Sequence, residues 1–320
     1  MSKTQFKLPF EIASVDRSNL LSALESVRGC LKTTSMLWMH ALGLPVLPGV
    51  VVSDWSKASA IAVRRFCRRA QFSNLLLRID KRHERWTRRR GGYLLSLPEV
   101  PAVIKELQRE GMIAALLEPA SPYADHYGLA GVTVPEREKM IVDVVGPGFD
   151  ASDILRGDLQ AHERWEIDFA PTMSGYRVGE HISCRRVDLA TPEQYSESVR
   201  MRLAKIGARL KDAAFPDAAL KGGPANSAEL VEQGIAFLKR TRQLTLLRHA
   251  DLYAPIPERH VELFSQLVAE LLSGLSSYGI NLGPSSFAAS VIPKRGLIFW
   301  DFFPSRKQEA RYLYPAGGPS

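Results

Sequence analysis

Short apolar runs of strand length, alternating with longer segments of helical spacing, most constrain how this chain folds. Strands are predicted at 50–53, 74–80, 93–97, 112–119 and 139–148, and a terminal hairpin is predicted from the runs 287–292 and 296–303. Helices are predicted at 17–42 (with a break at Gly29), 55–70, 99–110, 193–212, 227–250 and 256–278. Because these elements alternate without the regular repeat of a doubly wound parallel sheet, the pattern favours an α+β fold.

The bulk composition is typical of a soluble globular protein. The 320 residues are 45% hydrophobic and 24% charged, and this length suits one large domain or two closely associated domains. No run approaches the roughly 20 apolar residues of a membrane helix, and the first residues lack the apolar core of a signal peptide. The three cysteines form neither a metal pattern nor a disulfide framework. We therefore expect a cytoplasmic protein without a membrane partner.

The net charge of +8 favours a phosphate-bearing partner. Much of this charge comes from paired arginines at 64–65 and 68–69 and from the basic run 81–90. Such a patch attracts phosphate on a nucleotide, a nucleic acid or a membrane surface, although a solvated basic face is equally in keeping with any single run. With Trp86 among the arginines, the face around 64–90 would suit a nucleic-acid-binding protein, because such sites combine aromatic stacking with phosphate contacts.

A glycine-containing segment, GPGFDASDILRGD at 146–158, is the most informative candidate site. Its glycines, Gly146 and Gly148, would let the backbone pass close to a phosphate, and Asp150 or Asp153 would hold a metal or a ribose. A plain turn is the alternative. The segment is not a Walker A loop, because no GK[ST] follows, and its third glycine is not spaced for a Rossmann fingerprint.

Four other charged positions stand out by their place in apolar segments. Lys32 lies on a predicted helix, and Arg78 and Asp80 end an apolar strand, where they would point into a site or cap the strand. Asp301 lies in an apolar terminal strand, which is costly unless the carboxylate is paired or binds a cation. The sequence leaves both a salt bridge and a metal open for it. His162 is the one histidine in a suggestive pair, and no zinc or hydrolase motif is present.

In their order, these segments resemble the ATP-binding domain of phosphoenolpyruvate synthase, pyruvate phosphate dikinase and rifampin phosphotransferase, which belongs to the wider ATP-grasp group. The stretch GCLKTTSMLWMHALGLPVLPG at 29–49 is similar to the family's GGKG-type motif, helix and GLPVPPG turn, and Lys32 has the family's spacing from the turn. The similar segments that follow are LLRID at 76–80, RRGGYLLSL at 89–97, LLEPASPY at 116–123, GPGFDASDILRG at 146–157 and IFWDFFP at 298–304.

The resemblance implies an ATP-grasp-like fold whose two lobes, 1–115 and 116–320, close over Mg-ATP. Arg78 would hold phosphates, and Glu118 would meet the adenine. The implied nucleotide contacts are Lys32, Arg78, Gly91, Gly92, Glu118, Gly146 and Gly148, and the implied Mg²⁺ ligands are Asp301 and Asp153. The basic segment 81–90 would form a mobile lid over the triphosphate.

The chain also departs from the family pattern. Thr33 replaces the glycine after the family lysine, Ala288 lies near the position of the family's metal-binding glutamate, and Asp301 stands where the family has glutamine. The family's phosphohistidine domain and its C-terminal acceptor domain have no counterpart in this sequence. The sequence therefore supports ATP binding better than ATP turnover.

The resemblance implies an ATP-dependent phosphotransferase or ligase that activates a small-molecule acceptor, such as a carboxylate. Arg156 and His162 would act on the acceptor side, together with Arg185 and Arg186. A second interpretation keeps ATP binding and adds a partner protein that carries the acceptor. The third interpretation, a nucleic-acid-binding protein, needs no nucleotide site at Lys32 and predicts binding that weakens steeply with salt.

Overall fold

The computed structural model describes residues 7–82, 93–119, 127–146, 151–155, 161–173, 175–186, 232, 255–292 and 294–304. It divides into two compact units. The first comprises Met1–Ala120, Leu271–Leu282 and Asp301–Ser320, and the second comprises Ser121–Glu270 and Gly283–Trp300. Within the described ranges, no helix has the length and apolarity needed to cross a membrane.

The first unit contains a five-stranded antiparallel sheet with four helices. Its strands are β1 (Phe10–Glu11), β2 (Gly49–Val52), β3 (Asn74–Lys81), β4 (Tyr93–Ser96) and β5 (Met112–Leu117), and they are ordered β1-β2-β5-β3-β4. Its helices are α1 (Leu20–Ser26), α2 (Leu31–Ala41), α3 (Lys57–Ala70) and α4 (Val100–Arg109). A short 3₁₀ turn covers Ile12–Ser14.

Two glycines set the limits of α2. Gly29 separates it from α1 with φ at 85°, and Gly43 follows it with φ at 90°, a left-handed conformation that favours glycine. Between them, Trp38 is fully buried, and its ring packs edge-on against Tyr278 with centroids 5.0 Å apart. The helix is thereby held in the core of the first unit, and its first turn lies close to β3.

Strand β3 carries two polar residues on one face. Its apolar residues Leu75, Leu77 and Ile79 are buried. Because alternate side chains of a strand share a face, Arg78 and Asp80 point together to the opposite side. At both positions β3 pairs with β5, which gives both side chains a fixed backbone.

The second unit is built on a six-stranded sheet in the order β11-β10-β6-β7-β8-β9. The strands are β6 (Tyr127–Val134), β7 (Lys139–Val145), β8 (Glu163–Thr172), β9 (Gly175–Arg186), β10 (Ser285–Ile292) and β11 (Gly296–Pro304). Pairings from β10 through β9 are antiparallel. A 3₁₀ turn covers Pro135–Arg137, and the helices are α5 (Ala151–Leu155) and α6 (Glu258–Ser277). Helix α6 and strand β11 both begin in this unit and end in the first.

The α+β prediction is confirmed, and the predicted elements in the described ranges correspond to α1 to α4, α6, β2 to β5, β7, β10 and β11. The sequence prediction assigned no element to β1, β6, β8, β9 or α5. The prediction missed β8, although its buried residues alternate with outward charged residues as far as Phe169. It missed β9 because this edge strand has few apolar residues. The predicted helices at 193–212 and 227–250 lie outside the described residues, apart from helical Glu232.

We predict that Gly131→Ala destabilises the second unit. A Cβ at this position of β6 would lie 2.5 Å from Cε1 of Phe264. Phe264 is fully buried and stacks on Phe299 with ring centroids 5.3 Å apart, so it has no open space to enter. Overpacking of this kind costs about 1–3 kcal/mol, measurable by chemical denaturation.

The matched test is a double-mutant cycle with Phe264→Leu, which removes the ring edge that the new methyl group meets. The Gly131→Ala substitution should cost less in that background than in the wild type. An equal cost in both backgrounds, or a neutral Gly131→Ala variant, would contradict the packing described for α6 on β6.

Candidate functional site

The amino end of α2 is capped by a carboxylate from another element. Cys30, at the N-cap position, makes no side-chain capping bond. The Thr33 backbone N–H donates instead to Oδ2 of Asp80 on β3, at 2.9 Å. The first N–H groups of a helix lack partners within the helix, and its amino end carries partial positive charge. Asp80 therefore satisfies one of these donors and places a negative charge where the helix favours it.

Burial governs the titration of this carboxyl group. Asp80 is 3% exposed, and burial raises the pKa of its carboxyl to about 6, against the opposing effects of the Thr33 N–H and the positive charges of Lys32 and Arg78. Burial, with the nearby Asp80 carboxylate, also raises the pKa of the Cys30 thiol to about 12. Cys30 is thus a neutral thiol at physiological pH and has no nucleophilic character.

Lys32 and Arg78, which the sequence predicts as phosphate contacts, lie around this one carboxylate. Both positive charges act on Asp80, Lys32 from the first turn of α2 and Arg78 from the same face of β3 as Asp80 itself. Both are partly exposed. The helix and the strand therefore bring two separate motif residues to one place in the first unit.

Arg78 also forms an ion pair with Asp301. Its Nη2 donates to Oδ1 of the aspartate, and the two side chains are 13% and 22% exposed. The next residue, Phe302, accepts a hydrogen bond at its carbonyl from Oγ of Ser35 on α2, at 2.8 Å. Of the two alternatives for Asp301, a salt bridge is therefore present. Together, Lys32, Arg78, Asp80 and Asp301 form a group with balanced formal charges.

The described residues do not by themselves form a Mg²⁺ site. No group of three or more His, Cys, Asp or Glu side chains suited to a metal occurs among them. Asp301 is paired with Arg78, and Asp80 is a buried helix cap. Asp153 lies on α5, but its side chain is outside the described part. Mg²⁺ needs several hard oxygen ligands, so the predicted pair Asp301 and Asp153 stays a prediction.

Glu118 lies beside the proline-containing turn that precedes β2. Its backbone N–H donates to the Pro48 carbonyl at 2.9 Å, continuing the antiparallel pairing of β2 with β5. The side chain is partly buried. Two segments of the resemblance, 29–49 and 116–123, are therefore hydrogen-bonded to each other within the first unit.

His162 lies at the base of the glycine segment, in the second unit. The Gly146 N–H donates to its Nδ1 at 2.9 Å, and the His162 N–H donates to the Val144 carbonyl at 2.8 Å. Burial lowers the pKa of the imidazole to about 4, so the ring is neutral at physiological pH. Its observed role is to hold the end of β7 at Gly146. The other predicted residues, Gly91, Gly92, Gly148 and Arg156, lie outside the described residues.

Glu163 has a structural role that the sequence did not indicate. It is 7% exposed. Its carboxylate accepts hydrogen bonds from Trp165 Nε1 and the Ile256 N–H, each at 3.0 Å, and from the Cys184 thiol at 3.9 Å. These donors come from β8, from β9 and from the residues before α6. Apolar residues alternate with charged ones along β8, and this pattern, which the sequence prediction did not use, places Glu163 on the inward face.

The chain is similar to three solved structures of low sequence identity. They are the macrocyclase MdnC bound with precursor peptide MdnA from Microcystis aeruginosa MRC, the VanG D-Ala:D-Ser ligase from Enterococcus faecalis, and the D-cycloserine synthetase DcsG. In that order, identities are 10%, 12% and 12%, and TM-scores are 0.35, 0.35 and 0.32. The matches cover 95%, 91% and 91% of this chain and 64%, 62% and 70% of the other chains.

This chain therefore spans less than two thirds of the first two of these structures. TM-scores of this size carry no argument about its activity. No protein-family model and no curated protein sequence matches the chain. The functional assignment accordingly rests on the residues of the chain and on their arrangement.

We predict that Asp80 makes the protein less stable as the pH rises from about 4 to about 6. Its pKa rises from 3.8 to about 6 on folding, so the folded state keeps a proton that the unfolded state has already lost. Stability from this group is complete below the unfolded pKa and is lost as the pH passes the folded pKa. The shift corresponds to an effect on the order of 3 kcal/mol.

Asp80→Asn is the matched control, since it retains an oxygen acceptor for the Thr33 N–H but cannot ionise. Denaturation curves of both proteins across this pH range should show the wild type losing stability relative to the variant. A difference that does not change with pH would show that Asp80 does not titrate as described.

His162 should have the opposite pH dependence. Burial lowers its pKa from 6.5 to about 4, so its contribution is present above about pH 6.5 and is lost as the pH falls toward 4. In the wild type, this loss of folding stability on acidification should be on the order of 3 kcal/mol. It should be absent in His162→Asn, whose side-chain oxygen can still accept from the Gly146 N–H. The direct check is an NMR titration of the imidazole, assigned by its absence in the variant. A midpoint near 6.5 would contradict the burial described for this ring.

Proposed function

We propose that this chain is an ATP-dependent phosphotransferase or ligase of ATP-grasp type, with Lys32 and Arg78 binding the nucleotide phosphates. The observation that carries the proposal is the convergence of these two residues on Asp80. The sequence motifs selected both residues as phosphate contacts without reference to their positions in space. Helix α2 and strand β3 thus place two selected cations within electrostatic reach of the same carboxylate.

The chemistry of the two side chains supports phosphate as the ligand. The arginine guanidinium presents a planar fork that matches two phosphate oxygens, and the lysine ammonium adds a compact positive charge. Lys32 also lies in the first turn of α2, where the helix favours a bound anion. Asp80 holds this turn in place through Thr33. The site would therefore be organised before a nucleotide arrives, which lowers the ordering cost of binding.

A nucleotide phosphate that binds Arg78 would have to compete with Asp301, the ion-pair partner of this arginine. The side chains of this ion pair are partly exposed, so a phosphate can approach Arg78 from solvent. A triphosphate carries several negative charges and Asp301 carries one, so the triphosphate competes favourably for the guanidinium. Asp301 would then act as a substitute for phosphate that keeps Arg78 oriented.

The remaining parts of the site follow from the resemblance. Glu118, next to Pro48, would meet the adenine, and Gly91 and Gly92 would approach the phosphates. Gly146 and Gly148 would add backbone contacts. Mg²⁺ would require Asp153 or other oxygen donors in addition to Asp301. When bound, the ion would neutralise charge on the β and γ phosphates.

The acceptor is proposed by class only. A small molecule with a carboxylate would be activated by phosphoryl transfer, with Arg156 and His162 on the acceptor side. A variant of this proposal places the acceptor on a partner protein. The nucleotide product separates phosphoryl transfer, which releases ADP, from adenylation, which leaves AMP.

We predict that Lys32→Ala weakens ATP binding by about tenfold to a hundredfold, because a hydrogen bond to a charged group contributes about 1.5–3 kcal/mol. Isothermal titration of ATP, with and without Mg²⁺, measures the change. Lys105→Ala is the matched control, since it removes an exposed lysine from α4. Arg78→Lys, which preserves the charge but loses the fork, should also weaken binding.

Two results would overturn the proposal. One is a wild-type protein that binds no adenine nucleotide under either condition. The other is equal binding by the Lys32→Ala and Lys105→Ala variants, which would place the nucleotide away from α2. Incubation with ATP and pooled carboxylic acids, scored for ADP or AMP, then tests turnover.

A further inference from the structure

Helix α3 exposes a row of positive side chains that the nucleotide site does not use. Its 14 residues include five basic side chains and no acid. All five are exposed: Lys57, Arg64, Arg65, Arg68 and Arg69. The large apolar side chain on this face is Ile61, which is 48% exposed. The face is therefore dominated by charge of one sign.

The spacing of the arginines works against the stability of the isolated helix. Arg64 and Arg68 are four residues apart, as are Arg65 and Arg69, and like charges at this spacing repel each other. One ion pair relieves part of the repulsion, between Arg69 and Glu11 at 2.5 Å. In the described part of the chain, α3 makes no other ion pair.

Local helix energetics account for only part of this pattern. Arg68 and Arg69 lie in the last turn, where positive charge favours the helix dipole. Arg64 and Arg65 lie before the last turn and gain little from it. The helix is already fixed by its Ser56 cap, which accepts from the Ser59 N–H at 3.3 Å, and by its buried side. Binding of an extended anionic partner would neutralise these positive charges and so relieve the repulsion among the arginines.

The buried side of α3 decides what kind of partner fits. Val63, Phe66 and Cys67 are each at most 3% exposed, and the Phe66 ring contacts Phe72. A helix that lies in a membrane interface must insert its apolar face, and here that face is in the core. What remains is a row of guanidinium groups, which bind the phosphates of a nucleic acid by charge-assisted hydrogen bonds.

We propose that the exposed face of α3, centred on Arg64, Arg65 and Arg68, binds the phosphate backbone of a nucleic acid. The contacts go to phosphate, so binding is largely independent of base sequence. The surface shares no residue with the proposed nucleotide site, and the inference does not depend on that site.

The test measures binding of a short fluorescein-labelled single-stranded DNA of mixed sequence by anisotropy over a range of salt concentrations. The variant combines Arg64→Gln, Arg65→Gln and Arg68→Gln. Loss of three phosphate contacts should reduce the slope of log K against log salt by about 2 and weaken binding at least about tenfold at low salt. Each single substitution should give roughly a third of the change in slope.

The matched control combines Lys105→Gln, Arg109→Gln and Arg137→Gln, three exposed basic residues outside α3, and should bind DNA nearly as the wild type does. Equal weakening in both triple variants would show attraction by net charge alone and overturn the proposal. A wild-type protein that does not bind DNA at low salt would also overturn the proposal. So would tighter binding to phosphatidylserine vesicles or to a polyglutamate peptide than to DNA. The α3 triple variant should bind ATP as the wild type does, which separates this surface from the nucleotide site.

Discussion

The hydrogen bond from the Thr33 N–H to Asp80 is the interaction on which the candidate site depends. It joins the first turn of α2 to the interior strand β3 and fixes where Lys32 lies relative to Arg78. A carboxylate this buried is costly to ionise, so the two cations beside it are part of the reason it is tolerated. A phosphate group would bind to the same two cations. Under the proposed function, structural support and phosphate recognition would therefore share one cluster of charges.

Periodicity revealed most of the first unit. The limits of helix α2 could be predicted because glycines mark both of its ends. Strands β3 and β5 could be predicted because buried interior strands contain continuous apolar runs. Strands β8 and β9 were missed because their outward residues are charged or polar, which dilutes the apolar signal. Charged and apolar residues nevertheless alternate from Arg164 to Phe169, and a period of two indicates a half-buried strand.

The sequence selects candidate site residues, but it does not give their arrangement in space. Motif order selected Lys32, Arg78 and Asp301, and the structure brings these residues together with Asp80. Nothing in the sequence shows that Asp80 caps a distant helix or that Asp301 meets Arg78, because both contacts join elements far apart in the chain. The local sequence likewise does not show that His162 is partly buried, that its ring is neutral, or that it accepts a hydrogen bond from the Gly146 N–H. Tertiary packing determines such pairings, and spacing along the chain does not record them.

The most direct test of the central claim is hydrogen–deuterium exchange of the wild-type protein with and without Mg-ATP. If phosphates bind at Lys32 and Arg78, the amides in the first turn of α2 and at the end of β3 should exchange more slowly when ATP is present. Peptides from α4 should exchange at the same rate in both conditions. Unchanged exchange in α2 and β3, with ATP demonstrably bound, would show that the nucleotide lies elsewhere and would contradict the account.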